Sequence, residues 1–291
     1  MRHLLRLVTM PTQDTRTATP TRAHRTRSAR DWVSTEPGAW AIVLFPSLAA
    51  WVASGPTWTS TWLVALWALC YCVQFTAARL CKSHMRARYA LPTLVYAAAL
   101  AAAGVPFVIL HPGILIWAPL YVVLCSLSLL SSWLRRERSL WANLCAVLAA
   151  STMAIVIVPF GSKYAATSAS ATDHFPTHFP NAHDAAMFTG LGIEIAAGFA
   201  LALFGSVLFV KTMIRERGSR VYLHASWTYH ALLVAVGYLD DWVYMVLALL
   251  LLARAVALPL IARRRKVPAK VAGITETIAS LLMLILIPAG A

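Results

Sequence analysis

Long apolar runs separated by short polar connections dominate the chain. Nine runs stand out: 38–54, 58–79, 91–110, 114–134, 140–159, 187–210, 221–239, 241–261 and 271–288. A helix that crosses the ~30 Å hydrocarbon layer needs about 20 mostly apolar residues. The pattern therefore predicts an all-α polytopic membrane bundle of about nine transmembrane helices. The first run is short and ends at Gly55-Pro56. The seventh and eighth are divided only by Asp240-Asp241, which predicts a tight turn at the water interface. Residues 1–36 hold no such run and carry seven arginines among Ser, Thr and Pro, which predicts a disordered cytoplasmic tail. The apolar stretch near Leu4–Met10 is broken by Arg6 and is too short for the core of a signal peptide. Residues 37–290 read as a single transmembrane domain.

Charge sets the orientation. The tail and the connections 80–90, 135–138, 211–220 and 262–270 are basic. Between them, 55–57 and 111–113 hold no Lys or Arg, 160–186 holds only Lys163, and 240–241 is acidic. By the positive-inside rule the N-terminus is on the cytoplasmic side and the C-terminus outside. Trp40, Trp51, Trp58, Trp117, Trp141, Trp227 and Trp242 fall near run ends, where interfacial indoles belong. The outside loop 160–186, rich in Ser, Thr and Ala, is expected to be partly disordered.

Composition agrees. Of 291 residues, 59% are hydrophobic and 12% charged, and the mean hydropathy of +0.68 leaves no soluble domain of useful size. The net charge of +14 is spread over short clusters between apolar runs, a topology pattern and not a nucleic-acid-binding face. Of the five cysteines, Cys70, Cys72, Cys125 and Cys145 lie in apolar runs and Cys81 in a basic connection. None lies in the long outer loop, which argues against a disulfide framework. Cys70 and Cys72, two apart, point in different directions on a helix and make a poor metal pair.

The densest polar stretch is Lys211-Thr-Met-Ile-Arg-Glu-Arg-Gly-Ser-Arg220, with four cations and one anion. On a continuing helix Lys211 would share a face with Arg215, and Glu216 with Arg220, while Gly218 is a stop signal. The stretch serves topology and is also a candidate cationic site for a phosphate-bearing or acidic ligand, with Arg215 and Arg217 at its centre. Ionisable groups inside spans are functional candidates by default. Arg254 and Glu276 are each eleven residues from Arg265, so a hairpin would bring them to similar depth as an ion pair. His230 falls about nine residues into the seventh run, ~13 Å deep at helical rise. Glu194 sits in the outer half of the sixth run, and Asn143 near the inner end of the fifth is a candidate for interhelical hydrogen bonding. In the outer loop His174, His178 and His183 with Asp173 and Asp184 are weak candidates for a metal, since Pro176 and Pro180 prevent a helix from presenting His174 and His178 together. No phosphate-cradling glycine loop, zinc-protease motif or C-x-x-C pair is present, and no cofactor is expected.

Seven stretches carry a resemblance: Glu36-Pro-Gly-Ala-Trp40, Tyr89-Ala-Leu-Pro92, Arg136-Glu-Arg-Ser139 with Asn143, Thr212-Met-Ile-Arg-Glu-Arg-Gly218, Tyr229-His230, Arg254-Ala-Val-Ala-Leu-Pro259 and Gly273-Ile-Thr-Glu276. In these the chain resembles the YwiC-like family of bacterial multi-pass membrane proteins, over roughly residues 36–288. Where that family's pattern has Glu-His-Gly-Ala-Trp, this chain has Pro37. The resemblance implies a fold and a membrane location and brings no activity with it. Nine spans with an inside N-terminus also resemble UbiA-type prenyltransferases, whose loops after the second and sixth spans carry Asp-rich motifs for Mg²⁺-bound diphosphate. Here the corresponding loop Arg79–Ala90 has no Asp or Glu and Lys211–Arg220 only Glu216, so that metal site is missing.

The first function this supports is a divergent UbiA-like bundle that binds an anionic or isoprenoid-like lipid at a basic cytoplasmic mouth. Arg86, Arg136, Arg215 and Arg217 would gather there, and Asn143, Glu216, His230, Arg254 and Glu276 complete the candidate ligand-binding set. The second is a secondary transporter with a polar path through Glu194, His230, Arg254 and Glu276. The third is an assembly or scaffold subunit of a membrane complex. If His230, Arg254, Glu276 and the arginines of 211–220 converge on one cavity, an opening only to the cytoplasm and lipid favours ligand binding and an opening to both faces favours transport; separate lipid-facing or loop positions would sink both.

Overall fold

The computed structural model describes residues 32–175, 186–265 and 268–291. Most of the N-terminal tail, His178 and His183 lie outside these. The described residues form ten α-helices: α1 Pro37–Ala53, α2 Trp58–Lys82, α3 Ala87–Leu110, α4 Ala118–Trp133, α5 Leu140–Ile157, α6 Ala165–Asp173, α7 Gly190–Val210, α8 Arg220–Asp240, α9 Trp242–Arg264 and α10 Ala269–Gly290. A 3₁₀ segment, Pro112–Trp117, leads into α4.

Nine of these helices fall on the nine apolar runs. Seven stretches are long and apolar enough to cross a membrane, and they are built on α2, α3, α4, α5, α7, α9 and α10. The helix at 38–53 is shorter. Although 21 residues long, α8 is less apolar, since it carries Arg220, His224, Trp227, Tyr229 and His230. The chain is therefore an all-helical, integral membrane bundle. Leu94, Ile109, Val122, Leu232 and Ile285 are among the large apolar side chains left facing outward, as lipid-facing positions are.

The centre of the bundle is α5 and α7. In their apolar windows 56% and 50% of residues are buried, against 6% for α3, which packs mainly on α2 at the periphery. The small side chains of α1 let it enter the centre despite its length: Ser47, Ala49, Ala50 and Ser54 are fully buried against its neighbours. Phe199, Ile195, Ile157, Met283 and Ile287 fill the core between α5, α7 and α10.

Two hydrogen-bonded clasps close the end that bears α6. Thr57 caps α2 through a capping box with Ser60 and donates its hydroxyl to the Phe160 carbonyl at 2.6 Å. Lys163 Nζ donates to the Ala53 carbonyl at the end of α1, at 2.7 Å, where the helix dipole also favours a cation. The described part of the outer loop includes a helix. Its residues 165–173 form α6, which packs on the 3₁₀ segment and is held by His111 Nδ1 against Asp173 Oδ1 at 2.8 Å.

Candidate functional site

At the opposite end of the bundle, α7 does not run straight into the connection. Lys211–Arg215 forms a π-type turn, a one-residue widening common at functional sites. It brings the Glu216 amide to the Lys211 carbonyl at 2.8 Å. Gly218, at φ +93°, then reverses the chain in a left-handed conformation that suits glycine. The continuing helix expected through Arg220 is thus absent. Glu216 and Arg220 do not share a helix face, because α8 starts afresh after Ser219.

Lys211 is buried by this turn. Its ammonium donates to the Arg138 carbonyl at 2.7 Å and lies 5.9 Å from the Tyr222 ring centre. Arg215, on the same turn, is exposed. Two of the polar stretches singled out above, around Arg138 and Lys211, therefore meet at this end. Removing the ammonium with Lys211→Met leaves the Arg138 carbonyl without its donor. We expect a loss of about 1–3 kcal/mol of stability, as for an unmade buried hydrogen bond to a charged group, read as a lowered unfolding midpoint in detergent.

Beside the π turn is a hollow of about 220 Å³. Thr212, Met213, Arg217, Gly218, Ser219 and Leu223 line it together with Pro259, Ala262 and Arg263 of α9. Arg217 and Arg263 bring two guanidinium groups to an otherwise apolar and hydroxyl-bearing cup. Of the expected arginines, Arg217 lines it, and Arg215 lies on the turn beside it. Arg86, at the start of α3, and Arg136, between α4 and α5, are exposed on other connections and do not line it. Asn143 bonds within its own helix, Nδ2 to the Ser139 carbonyl at 2.7 Å, in place of the interhelical bond expected.

Deeper in the bundle, Arg254 and Glu276 form the ion pair that their equal distance from Arg265 implied. Their side chains are 9% and 18% exposed. Arg254 also reaches Ser206 Oγ at 3.4 Å and stacks 4.3 Å from the Phe209 ring centre. His230 is fully buried. Its Nδ1 sits 2.7 Å from the Ser226 carbonyl. A carbonyl only accepts, so Nδ1 carries the proton and Nε2 is the bare acceptor. Nε2 has no hydrogen-bond partner among the described residues and packs against Gly205, where an added Cβ would lie 3.1 Å away.

The hollow and the buried pair are not one cavity. None of His230, Arg254 or Glu276 lines the hollow, and an apolar layer of Phe209, Met213, Ala255 and Ala272 packs between α7, α9 and α10 near both. Glu194 lies nearer the other end of the bundle, lining a separate depression. His174 Nδ1 donates to the Ser170 carbonyl at 2.7 Å, and no group of three metal-ligating side chains forms among the described residues.

Three parts of this site carried no local sequence signal: Ser206, which is 48 residues from Arg254, the partnership of Lys211 with Arg138, and the place of Arg263 in the same lining as Arg217. They depend on helix packing. Comparison with known proteins adds one finding. Residues 33–158 match the family model described as YwiC-like protein, which bears out the resemblance over α1–α5. The stretches at 212–218, 229–230 and 254–276 lie beyond that match and rest on the motifs themselves. No curated protein and no solved structure matches the chain.

Proposed function

We propose that this chain, YwiC-like over residues 33–158, is a nine-span protein of the bacterial cytoplasmic membrane, N-terminus inside, that binds an anionic amphiphile at the cytoplasmic hollow beside the π turn. The observation that carries the reading is the presence of both Arg217 and Arg263 in the lining of a cup that also includes Met213, Leu223, Pro259 and Ala262. Guanidinium groups suit phosphate through forked hydrogen bonds, and apolar walls suit the first segment of a lipid chain. The Ser219 and Thr212 hydroxyls lie in the same cup. A single-site phosphate ester fits better than a Mg²⁺-diphosphate, because the lining contains no carboxylate to hold the metal. Likeness to UbiA-type bundles supports this only at the level of span number and orientation.

Binding is tested by titrating dodecyl phosphate into the purified protein in neutral lipid nanodiscs and reading the thermal midpoint. The expected result is saturable stabilisation that weakens about tenfold or more in Arg217→Ala/Arg263→Ala, the size expected for losing charge-assisted bonds. An equal response in wild type and variant contradicts the proposal.

One observation favours a second reading, secondary transport: the Arg254–Glu276 pair and unpartnered His230 Nε2 lie well inside the bundle. The apolar layer at Phe209 and Met213 and the remote position of Glu194 weigh against a continuous path in this conformation.

A further inference from the structure

At the end of the bundle opposite Lys211, a second hollow of about 240 Å³ lies between α7, α8 and α9, with Ile287 of α10 at its floor. Its rim and its wall differ sharply. Glu194 of α7, Asp240 of α8 and Tyr244 of α9 all line its outer part, and the Tyr244 hydroxyl donates to the Ile287 carbonyl at 3.2 Å. Seven residues further along each helix toward the middle of the bundle come Leu201, Leu233 and Leu251. Seven residues of helix are ~10 Å. The hollow is therefore a slot about that long, acidic at the mouth and apolar below.

Small residues create it. Gly198, Ala197 and Ala202 leave α7 shallow there, and Gly237 lets α8 close on α9 so tightly that an added Cβ would come within 2.7 Å of the Met245 amide nitrogen. Neither Glu194 nor Asp240 makes an ion pair or a side-chain hydrogen bond with another described residue, so no cation of the described chain neutralises the mouth. Two carboxylates without cations at a membrane boundary attract a positive charge, and an aromatic ring among them is the company an ammonium keeps. The volume is below the ~300–1,000 Å³ of drug-sized pockets, which suits one linear chain and not a fused ring system.

We propose that this slot binds a single-chain amphiphilic cation, with an ammonium group between Glu194 and Asp240 and an alkyl chain lying toward Leu201 and Leu251. The charge of the mouth selects the head, and the apolar wall selects the tail. This assignment is independent of the basic hollow at the other end and of any anionic ligand there.

The test uses the full-length protein in phosphatidylcholine nanodiscs, with dodecyltrimethylammonium as the probe and uncharged dodecanol and dodecyl phosphate as chain-matched controls. Wild type should show a saturable rise in thermal midpoint with the cation and none of that size with dodecanol. In Glu194→Gln/Asp240→Asn the apparent affinity for the cation should fall about tenfold or more. Gly198→Leu, which fills the slot without changing charge, should abolish the response. Retention of the dodecyl phosphate response in both variants shows that they are folded. Equal responses to cation and alcohol, or an undiminished cation response in the carboxamide variant, overturn the proposal. If the anionic-ligand reading fails, dodecyl phosphate gives no response in wild type, and retained secondary structure by circular dichroism then serves as the folding control.

Discussion

Glu276→Ala is expected to destabilise the bundle by about 3–5 kcal/mol, the largest single effect, because it leaves the Arg254 guanidinium buried without its counter-ion. Arg254 lies ten residues from the end of α9, ~15 Å along the helix, too deep to reach the water interface without distortion. Ser206 and the Phe209 ring remain beside it, but a neutral hydroxyl and a ring face do not replace a carboxylate. Desolvation thus outweighs the residual contacts. Removing both charges reverses the balance: Arg254→Met/Glu276→Leu should lose far less than Glu276→Ala alone, since no buried charge is left. Unfolding midpoints of the three proteins in one detergent decide it. Equal losses in single and double variants would show that the pair is solvated and contributes little.

Gly161→Ala should have the second-largest effect. The added Cβ would lie 2.3 Å from Ser54 Oγ and 2.5 Å from the Ser54 carbonyl oxygen, and a backbone atom cannot turn aside. The segment is already clasped. Ser162 and Lys163 amides donate to the Gly55 and Ser54 carbonyls at 2.8 and 3.1 Å, so relief requires breaking them. Overpacking of this kind costs about 1–3 kcal/mol, and here we expect the upper end. Gly273→Ala is the matched control. No atom lies within 4 Å of its added methyl, and it is inside α10, so stability should rise by about 0.5–1 kcal/mol. A Gly161→Ala protein as stable as wild type would mean that the α1 end is not held by this clasp.

The sequence made the scaffold legible because membrane helices must satisfy their backbones internally and show their apolar face to lipid. Each of the nine apolar runs became a helix for that reason. The Arg254–Glu276 pair was legible too, since a short hairpin fixes the relative depth of residues equally far from its turn. Other features depend on what touches what. The π turn at 211–215 arises where Lys211 is drawn under the bundle to the Arg138 carbonyl, a partner 73 residues away. Arg263 reads as a topology charge until the packing of α9 puts it, with Pro259 and Ala262, in the lining that holds Arg217. Asp240 reads as part of a turn until α7 brings Glu194 beside it. Helix α6 is not legible in the sequence because nine residues are too few to hold a helix alone and its Ser and Thr are weak helix formers, while His111 and the 3₁₀ segment stabilise it from outside.

The most direct test of the anionic-amphiphile reading is native mass spectrometry of the protein released from membranes, comparing wild type with Arg217→Ala/Arg263→Ala and with Arg86→Ala/Arg136→Ala. The account predicts that wild type retains a phosphate-bearing lipid, that the first variant loses it, and that the second keeps it because those arginines lie outside the hollow. Loss in the second variant with retention in the first would contradict the account, as would the same lipid complement in all three proteins.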